Sequence, residues 1–128
     1  MIVAGIGSAS GVTAAEVLAA VDAACAAHAV EPSDLEALAV PEMKTDEPGI
    51  HAAAQILGKI VVVIGRAELE AAGAGSLTHS ARSLKATGAP SASEATALAA
   101  IGAGAKLLGP RVAAGRVTCA LAYDGVLP

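Results

Sequence analysis

Short, uninterrupted runs of apolar residues predict the strands of a buried sheet. Met1–Gly7, Leu38–Val40 and Ile60–Ile64 each end at a glycine or directly before a glycine or proline. Runs of this length, with these flanks, favour strands covered on both faces, as in a parallel sheet. Ile60–Ile64 contains only β-branched residues, so we predict that this strand is buried on both sides.

Segments in which apolar residues follow helical spacing lie between these runs. Apolar residues recur every three or four positions between Thr13 and Pro32, and again between Pro48 and Gly58. A shorter helix is predicted over Ala67–Ala72. A hydroxyl residue followed three positions later by glutamate, the spacing of a capping box, marks helix starts. This spacing occurs at Thr13 and Glu16, at Ser33 and Glu36, where only a short turn is predicted, and at Ser91 and Glu94.

The second half of the chain predicts two further helices and a closing pair of strands. The predicted elements are a loop over Gly73–His79, a helix over Ser80–Thr87 that stops at Gly88, a helix after Ser91, and strands over Ala105–Leu108 and Arg116–Ala122. Because only Gly109–Gly115 separates the two strands, we predict that they form an antiparallel hairpin.

This alternation of elements predicts the fold class. Strands and helices alternate over the first 72 residues, which requires right-handed crossovers and a parallel sheet. We therefore predict an α/β fold: a single three-layer domain over residues 1–128, with a mostly parallel central sheet, helices on both faces and a C-terminal antiparallel hairpin. Ligands of such sheets bind at the carboxyl ends of the strands. Here these ends are followed by Gly5–Gly11, Pro41–Asp46 and the residues from Gly65 onward.

Composition and charge argue against several classes of partner. Hydrophobic residues make up 55% of the chain, but one tyrosine and no phenylalanine or tryptophan leave no aromatic surface for stacking bases. The net charge is −4 without a basic stripe, so no nucleic-acid partner is expected. No apolar stretch reaches the roughly 20 residues of a membrane helix, and no basic segment precedes the first apolar run. We predict a cytoplasmic protein in which Cys25 and Cys119 are free thiols.

The glycine-rich first loop is one candidate for ligand binding. Gly5, Gly7, Ser8 and Gly11 lie between a predicted strand and a helix, where backbone N–H groups can bind an anion. The Gly-x-Gly-x-x-x-Gly spacing is one residue longer than the dinucleotide fingerprint, and no Walker lysine follows it. The alternative is structural, because glycines also permit a tight turn and close packing.

Lys44–Gly49 places one cation and two acids at a predicted strand-to-helix junction. Asp46 or Glu47 would cap the following helix, a structural role that also explains Pro48. Capping does not explain Lys44, which would present a positive charge to the carboxyl edge of the sheet. A solvated lysine is the alternative.

A third group of candidates surrounds the last predicted helix. Its members are Thr87, Gly88, Ser91 and Glu94. One helix ends here and the next is capped, so a structural role explains the group as well. Arg111 and Arg116 flank the closing turn, where guanidinium groups could bind carboxylates bidentately or simply be solvated.

Neither a metal nor a cofactor is predicted. His28, His51 and His79 are not spaced as metal ligands, and no serine stands in a nucleophile-elbow motif.

The order of these motifs resembles the CobE/CbiG C-terminal domain family of cobalamin biosynthesis. The matching segments are Val3–Gly7, Lys44–Gly49, Ala86–Ala95 and Leu107–Arg111, and Lys44–Gly49 is the most specific of them. The family's first loop commonly reads Gly-Ile-Gly-Cys-Arg-Arg-Gly, whereas this chain has Ser-Ala-Ser in place of the thiol and both cations. The family's closing Val-Pro-Lys is Gly-Pro-Arg here, so Arg111 keeps the positive charge.

The resemblance implies a role in assembly of the corrin ring. It implies a carboxylate-rich precorrin or corrinoid ligand, with carboxylates bound by Lys44, by Arg111 and by the N–H groups of Gly5–Gly11. Asp46, Glu47 and Glu94 would then shape the site.

Two alternatives stay open beside simple binding. Two-domain relatives are cobalt-precorrin-5A hydrolases, which open a lactone on the macrocycle and release an aldehyde, and here Asp46 or Glu47 would activate the water. Because the first strand begins at Met1, we expect the stand-alone form of the family instead. The other alternative is a docking domain that contacts another cobalamin-pathway enzyme through its alanine-rich helix faces.

Overall fold

The computed structural model describes residues 1–128. The strands are β1 (Ile2–Ser8), β2 (Leu35–Pro41), β3 (Ile60–Ile64), β4 (Lys106–Leu107), β5 (Val112–Ala114) and β6 (Val117–Tyr123). The helices are α1 (Ala14–Ala27), α2 (Pro48–Leu57), α3 (Arg66–Ala72), α4 (Ala81–Thr87) and α5 (Ala92–Ile101). Short 3₁₀ turns cover Pro32–Asp34, Glu42–Lys44 and Gly73–Gly75.

All six strands belong to one sheet, in the order β3-β2-β1-β6-β4, with β5 alongside β6. β1, β2 and β3 run parallel to one another. β6 runs antiparallel to β1 along its whole length, from Ile2 opposite Tyr123 to Ser8 opposite Val117. The carboxyl ends of the three parallel strands therefore share one edge of the sheet with the start of β6.

Helices cover both faces of the sheet, because β1 directs alternate side chains to opposite faces. Ile2, Ala4 and Ile6 belong to the core beneath α1 and α2, whereas Val3 and Gly5 face α5. The buried core is built almost entirely from aliphatic side chains. The predicted three-layer α/β fold with C-terminal antiparallel strands is confirmed. None of the helices has the length and apolar character needed to cross a bilayer.

β3 is an edge strand, and the prediction that it is buried on both sides is wrong. Ile60 is 68% exposed and Val63 is 46% exposed. β3 pairs with β2 on one side, and no strand follows it in the sheet order. Its β-branched residues indicate strand propensity, which is satisfied at an edge as well as at the centre of a sheet.

The C-terminal strands include one that the sequence pattern does not predict. β5 lies within the predicted Gly109–Gly115 connection, and it forms a tight hairpin with β6 across Gly115 and Arg116. Gly115 has a φ of +60°, a conformation that glycine adopts without strain. The predicted preceding strand is reduced to β4, which pairs with the far end of β6.

One of the predicted capping boxes forms completely. At the start of α1, the side chains of Thr13 and Glu16 each accept the backbone N–H of the other residue. The second spacing does not form a box, because Glu36 already belongs to β2. Instead, the Asp34 carboxylate accepts the N–H of Glu31 at the 3₁₀ turn.

Candidate functional site

A cleft of about 780 Å³ opens at the carboxyl edge of the sheet. It lies where β1 and β2 end, between α4 and the β5–β6 turn. Its lining residues are Gly7, Ser8, Ala9, Pro41, Met43, Lys44, Ser80, Arg82, Ser83, Ala86, Thr87, Ala92, Arg111, Gly115, Arg116 and Thr118. The cleft therefore occupies the place where parallel sheets usually bind ligands.

Every charged side chain that lines the cleft is a cation: Lys44, Arg82, Arg111 and Arg116. The whole chain has a net charge of −4, so the cleft has the opposite sign to the molecule. Lys44 comes from the turn after β2, Arg82 from α4, and the other two from either side of β5. Cations gathered from segments distant in sequence favour an anionic ligand.

Arg82 and Arg111 have no carboxylate partner within the protein. Neither guanidinium group forms an ion pair. Lys44 Nζ donates to the hydroxyl of Ser10 at 3.1 Å, which leaves its charge uncompensated. Because a guanidinium group can donate two parallel hydrogen bonds to a carboxylate, both arginines are available to a carboxylate ligand.

Arg116, in contrast, is already paired with Glu16. Its Nε lies 2.9 Å from Glu16 Oε2 and its Nη2 lies 2.6 Å from Oε1, a bidentate arrangement. Nη2 also donates to the carbonyl oxygen of Gly11 at 3.3 Å. The hydrogen bond from Arg116, with a further one from the Thr13 N–H, lowers the pKa of Glu16 from 4.5 to about 2. Arg116 therefore joins the β5–β6 turn to the first loop and to the start of α1.

The Glu16→Gln variant is expected to remove a pH dependence of stability. Because the pKa of Glu16 is lower in the folded chain, its ionised form stabilises the fold above about pH 4.5, and this contribution is lost as the pH falls toward 2. The difference in free energy of unfolding between wild type and variant should thus be largest near neutral pH and shrink between pH 4.5 and 2. Urea denaturation across this range measures it. A difference that stays constant with pH would contradict the expectation.

Hydroxyl groups line the cleft beside the cations. Thr118 Oγ1 donates to Gly7 O at 3.4 Å and lies 3.2 Å from Ser93 Oγ. Ser8 Oγ is different, because it is buried and has no hydrogen-bond partner. A buried hydroxyl without a partner is uncommon, but its oxygen is shielded from the cleft and does not meet a ligand there unless the side chain rotates.

The glycines of the first loop have packing roles in the structure. A Cβ on Gly5 would lie 2.6 Å from a backbone nitrogen of α5, and one on Gly7 would lie 2.6 Å from a hydroxyl oxygen of β6. Gly11 has a φ of +76°, and its N–H donates to Glu47 Oε1 at 2.7 Å. Of the four candidates in this loop, Gly7 and Ser8 line the cleft, whereas Gly5 is buried beneath α5 and Gly11 lies outside the lining.

The Lys44–Gly49 junction divides into a cation that lines the cleft and two acids that do not. Glu47 stands at the N-cap position of α2, but its side chain makes no capping hydrogen bond and binds the Gly11 N–H instead. Asp46 is exposed. The predicted structural role is therefore wrong, because neither carboxylate makes a capping hydrogen bond to α2. The junction instead ties α2 to the first loop and leaves Lys44 at the cleft.

The third group of candidates mostly supports the helices around the cleft. Thr87 lines the cleft, and Gly88 ends α4 with a φ of +81°. Ser91 caps α5 by accepting the N–H of Glu94. The Glu94 carboxylate is buried, and one of the groups that it binds is the backbone N–H of Arg111.

The sequence pattern does not predict that Arg82 and several hydroxyl residues line the cleft. Arg82 stands in the first turn of a short helix, where an arginine is ordinarily solvated. Ser80, Ser83 and Thr118 carry no local signal either. The feature of the sequence that does predict cations here is the pair Arg111 and Arg116, which flanks the predicted closing turn. Both residues line the cleft.

The cysteines lie away from the cleft and are buried free thiols. Burial raises the pKa of Cys25 to about 11, and it raises the pKa of Cys119 as well. A thiol with a raised pKa is a poor nucleophile. The chain contains no group of three or more His, Cys, Asp or Glu residues that could hold a metal ion.

Comparison with known proteins shows the family of the chain. The family model "Cobalamin synthesis G C-terminus" matches residues 2–122. No functionally curated protein matches the chain. The chain is similar to the crystal structure of CobE, a protein from the cobalamin (vitamin B12) biosynthetic pathway, with 35% identity over 95% of this chain and 89% of CobE and a TM-score of 0.89.

Two further solved structures are similar to the chain. The cobalamin biosynthesis protein chiG from Agrobacterium tumefaciens is 41% identical over 98% of this chain and 100% of its own, with a TM-score of 0.78. A cobalamin biosynthesis protein G homolog from Sulfolobus solfataricus is 18% identical with a TM-score of 0.68, and this chain covers 37% of it. That third likeness shows the fold alone. The family match and the two nearer structures show that the chain belongs to the cobalamin synthesis G C-terminal family of cobalamin-biosynthesis proteins.

Proposed function

We propose that this protein binds a carboxylate-rich precorrin or corrinoid intermediate in the cleft. The observation that supports the proposal most is the charge of the lining: four cations and no acid, in a chain of net charge −4. Intermediates of corrin-ring assembly carry carboxylates around their periphery. A ligand of the pathway to which the family belongs therefore has the chemistry that such a cleft selects.

Arg82 and Arg111 would make the strongest contacts with the ligand, because neither is compensated by a protein carboxylate. Lys44 would add a third positive charge. Nine of the 16 lining residues are polar or charged, and none is aromatic. Recognition would thus act on the charged periphery of the macrocycle, because no aromatic ring is present to stack on its flat faces.

Positive charge also surrounds the first loop, although the loop lacks the two arginines common in its relatives. Lys44 Nζ lies 3.1 Å from Ser10 Oγ, and Arg116 Nη2 lies 3.3 Å from Gly11 O. Both cations reach the loop from other segments of the chain. Because Arg116 is compensated by Glu16, Lys44 supplies the free positive charge for a carboxylate at this end of the cleft in the proposed function.

The hydrolase alternative has less support than binding. It assigns water activation to Asp46 or Glu47, and neither carboxylate lines the cleft. Glu47 is also held by the Gly11 N–H. Release of an aldehyde from a lactone precorrin by the protein alone would favour the hydrolase, whereas release only with another pathway enzyme would favour a docking role.

Titration with cobyrinic acid, a corrinoid polycarboxylic acid, tests the proposal. We expect a saturable change in the visible absorption spectrum that weakens as ionic strength rises. The methyl ester of the same compound keeps the ring but loses the charges, and it should bind at least about tenfold more weakly. Equal affinity for acid and ester, or no spectral change at high micromolar acid, would contradict carboxylate recognition in the cleft.

A further inference from the structure

Glu94, in the first turn of α5, is fully buried, and yet its carboxylate accepts four hydrogen bonds. Oε1 accepts the backbone N–H groups of Leu77 and Thr78 at 2.9 and 2.8 Å. Oε2 accepts the Thr78 hydroxyl at 3.0 Å and the backbone N–H of Arg111 at 2.9 Å. The residue is 0% exposed and does not line the cleft. Its carboxylate is therefore fully occupied by three backbone N–H groups and one hydroxyl group of the protein, and it cannot touch a ligand in the cleft.

The segments that Glu94 joins carry two of the cations of the cleft. Thr78 lies two residues before Ser80, the N-cap residue of α4, and α4 carries Arg82. Arg111 is bound through its own N–H group. These two segments are far apart in sequence, and the carboxylate holds both against the start of α5. Glu94 is thus bonded to the backbone of Arg111 and to the segment that leads into α4, the helix that carries Arg82.

We infer that Glu94 is a positioning residue that sets the separation of Arg111 and the Arg82-bearing helix across the cleft. This inference deepens the proposed function and rests on it as far as ligand affinity is concerned. A carboxylate is required because hydrogen-bond donors face both of its oxygens. Glutamine has the same shape, but its amide nitrogen is a donor and accepts no hydrogen bond. When the glutamine oxygen faces Leu77 and Thr78, its amide nitrogen faces Arg111, and the Arg111 N–H loses its acceptor.

Hydrogen exchange of backbone amides tests the positioning role without any ligand. In wild type, the Arg111 amide should be protected by its bond to the carboxylate. In Glu94→Gln, we expect exchange at Arg111 to accelerate on the order of tenfold, while Leu77 and Thr78 keep most of their protection. Thr96→Val is the matched control, because Thr96 is also buried on α5 and its hydroxyl has no partner. Unchanged protection at Arg111 in Glu94→Gln would overturn the inference.

A double-mutant cycle with cobyrinic acid tests the consequence for binding. Glu94→Gln should weaken binding, and it should weaken it less in an Arg111→Ala background than in wild type, because the positioned group is then absent. Fully additive losses would show that Glu94 does not act through Arg111. If wild type binds neither acid nor ester, the proposed function fails, and the exchange measurement still decides the positioning role. If Glu94→Gln does not fold, the wild-type protein still decides: an Arg111 amide that exchanges as fast as an unprotected loop amide would show that the carboxylate does not hold this segment, and would contradict the inference.

Discussion

Gly5→Ala is expected to lower the free energy of unfolding by about 3 kcal/mol or more, a large share of the stability of a small domain. Gly5 lies in the central strand β1, directly beneath α5. A Cβ there would lie 2.6 Å from Ala97 N and 2.9 Å from Ala97 Cβ, and still closer to the carbonyl oxygen of Ser93. Two of these are helix backbone atoms, so the added methyl group would push α5 away from the sheet. Urea denaturation followed by circular dichroism measures the loss.

Gly65→Ala is the matched control for this effect. Gly65 has a φ of −70°, which alanine also adopts, and the nearest atom to an added Cβ is the end of the Glu68 side chain at 3.3 Å. That side chain is exposed and can move, so we expect a loss below about 1 kcal/mol, as for alanine at an N-cap position. A Gly5→Ala protein as stable as the control would show that α5 does not pack as closely on β1 as the structure has it.

Arg82→Ala and Arg111→Ala are each expected to weaken binding of cobyrinic acid roughly 10- to 100-fold, and together by more than either alone. Each substitution removes an uncompensated guanidinium group from the cleft without breaking an ion pair within the protein. The fold should therefore tolerate both changes. Titration of each variant by visible absorption, beside a thermal unfolding curve, separates lost affinity from lost stability.

Lys85→Ala provides the control for charge alone. Lys85 lies on the same helix as Arg82 and is exposed, but it does not line the cleft. Its removal changes the net charge of the protein by the same amount as either arginine substitution, so affinity should change less than about threefold at physiological salt. If Lys85→Ala weakens binding as much as Arg82→Ala, the ligand responds to overall charge and not to the cleft.

Glu16 and Glu94 show what a local pattern in the sequence can predict and what it cannot. The capping box of Thr13 and Glu16 was predictable, because both partners lie within one helical turn. Glu94 has the same spacing after Ser91, but its carboxylate binds Leu77, Thr78 and Arg111 instead. The spacing alone cannot distinguish the two glutamates, because the competing donors come from other segments of the chain.

Local patterns in the chain are enough to predict the α/β class, every helix, all strands except β5, and the family resemblance, because apolar periodicity, turn residues and motif order are local properties. They also point to the carboxyl edge of the sheet and to Lys44 and Arg111. The edge position of β3, the close packing of α5 on Gly5 and the place of Arg82 in the cleft are visible only in the folded chain. All three features depend on which segments pack together after folding, and contacts between distant segments produce no periodic pattern in the sequence.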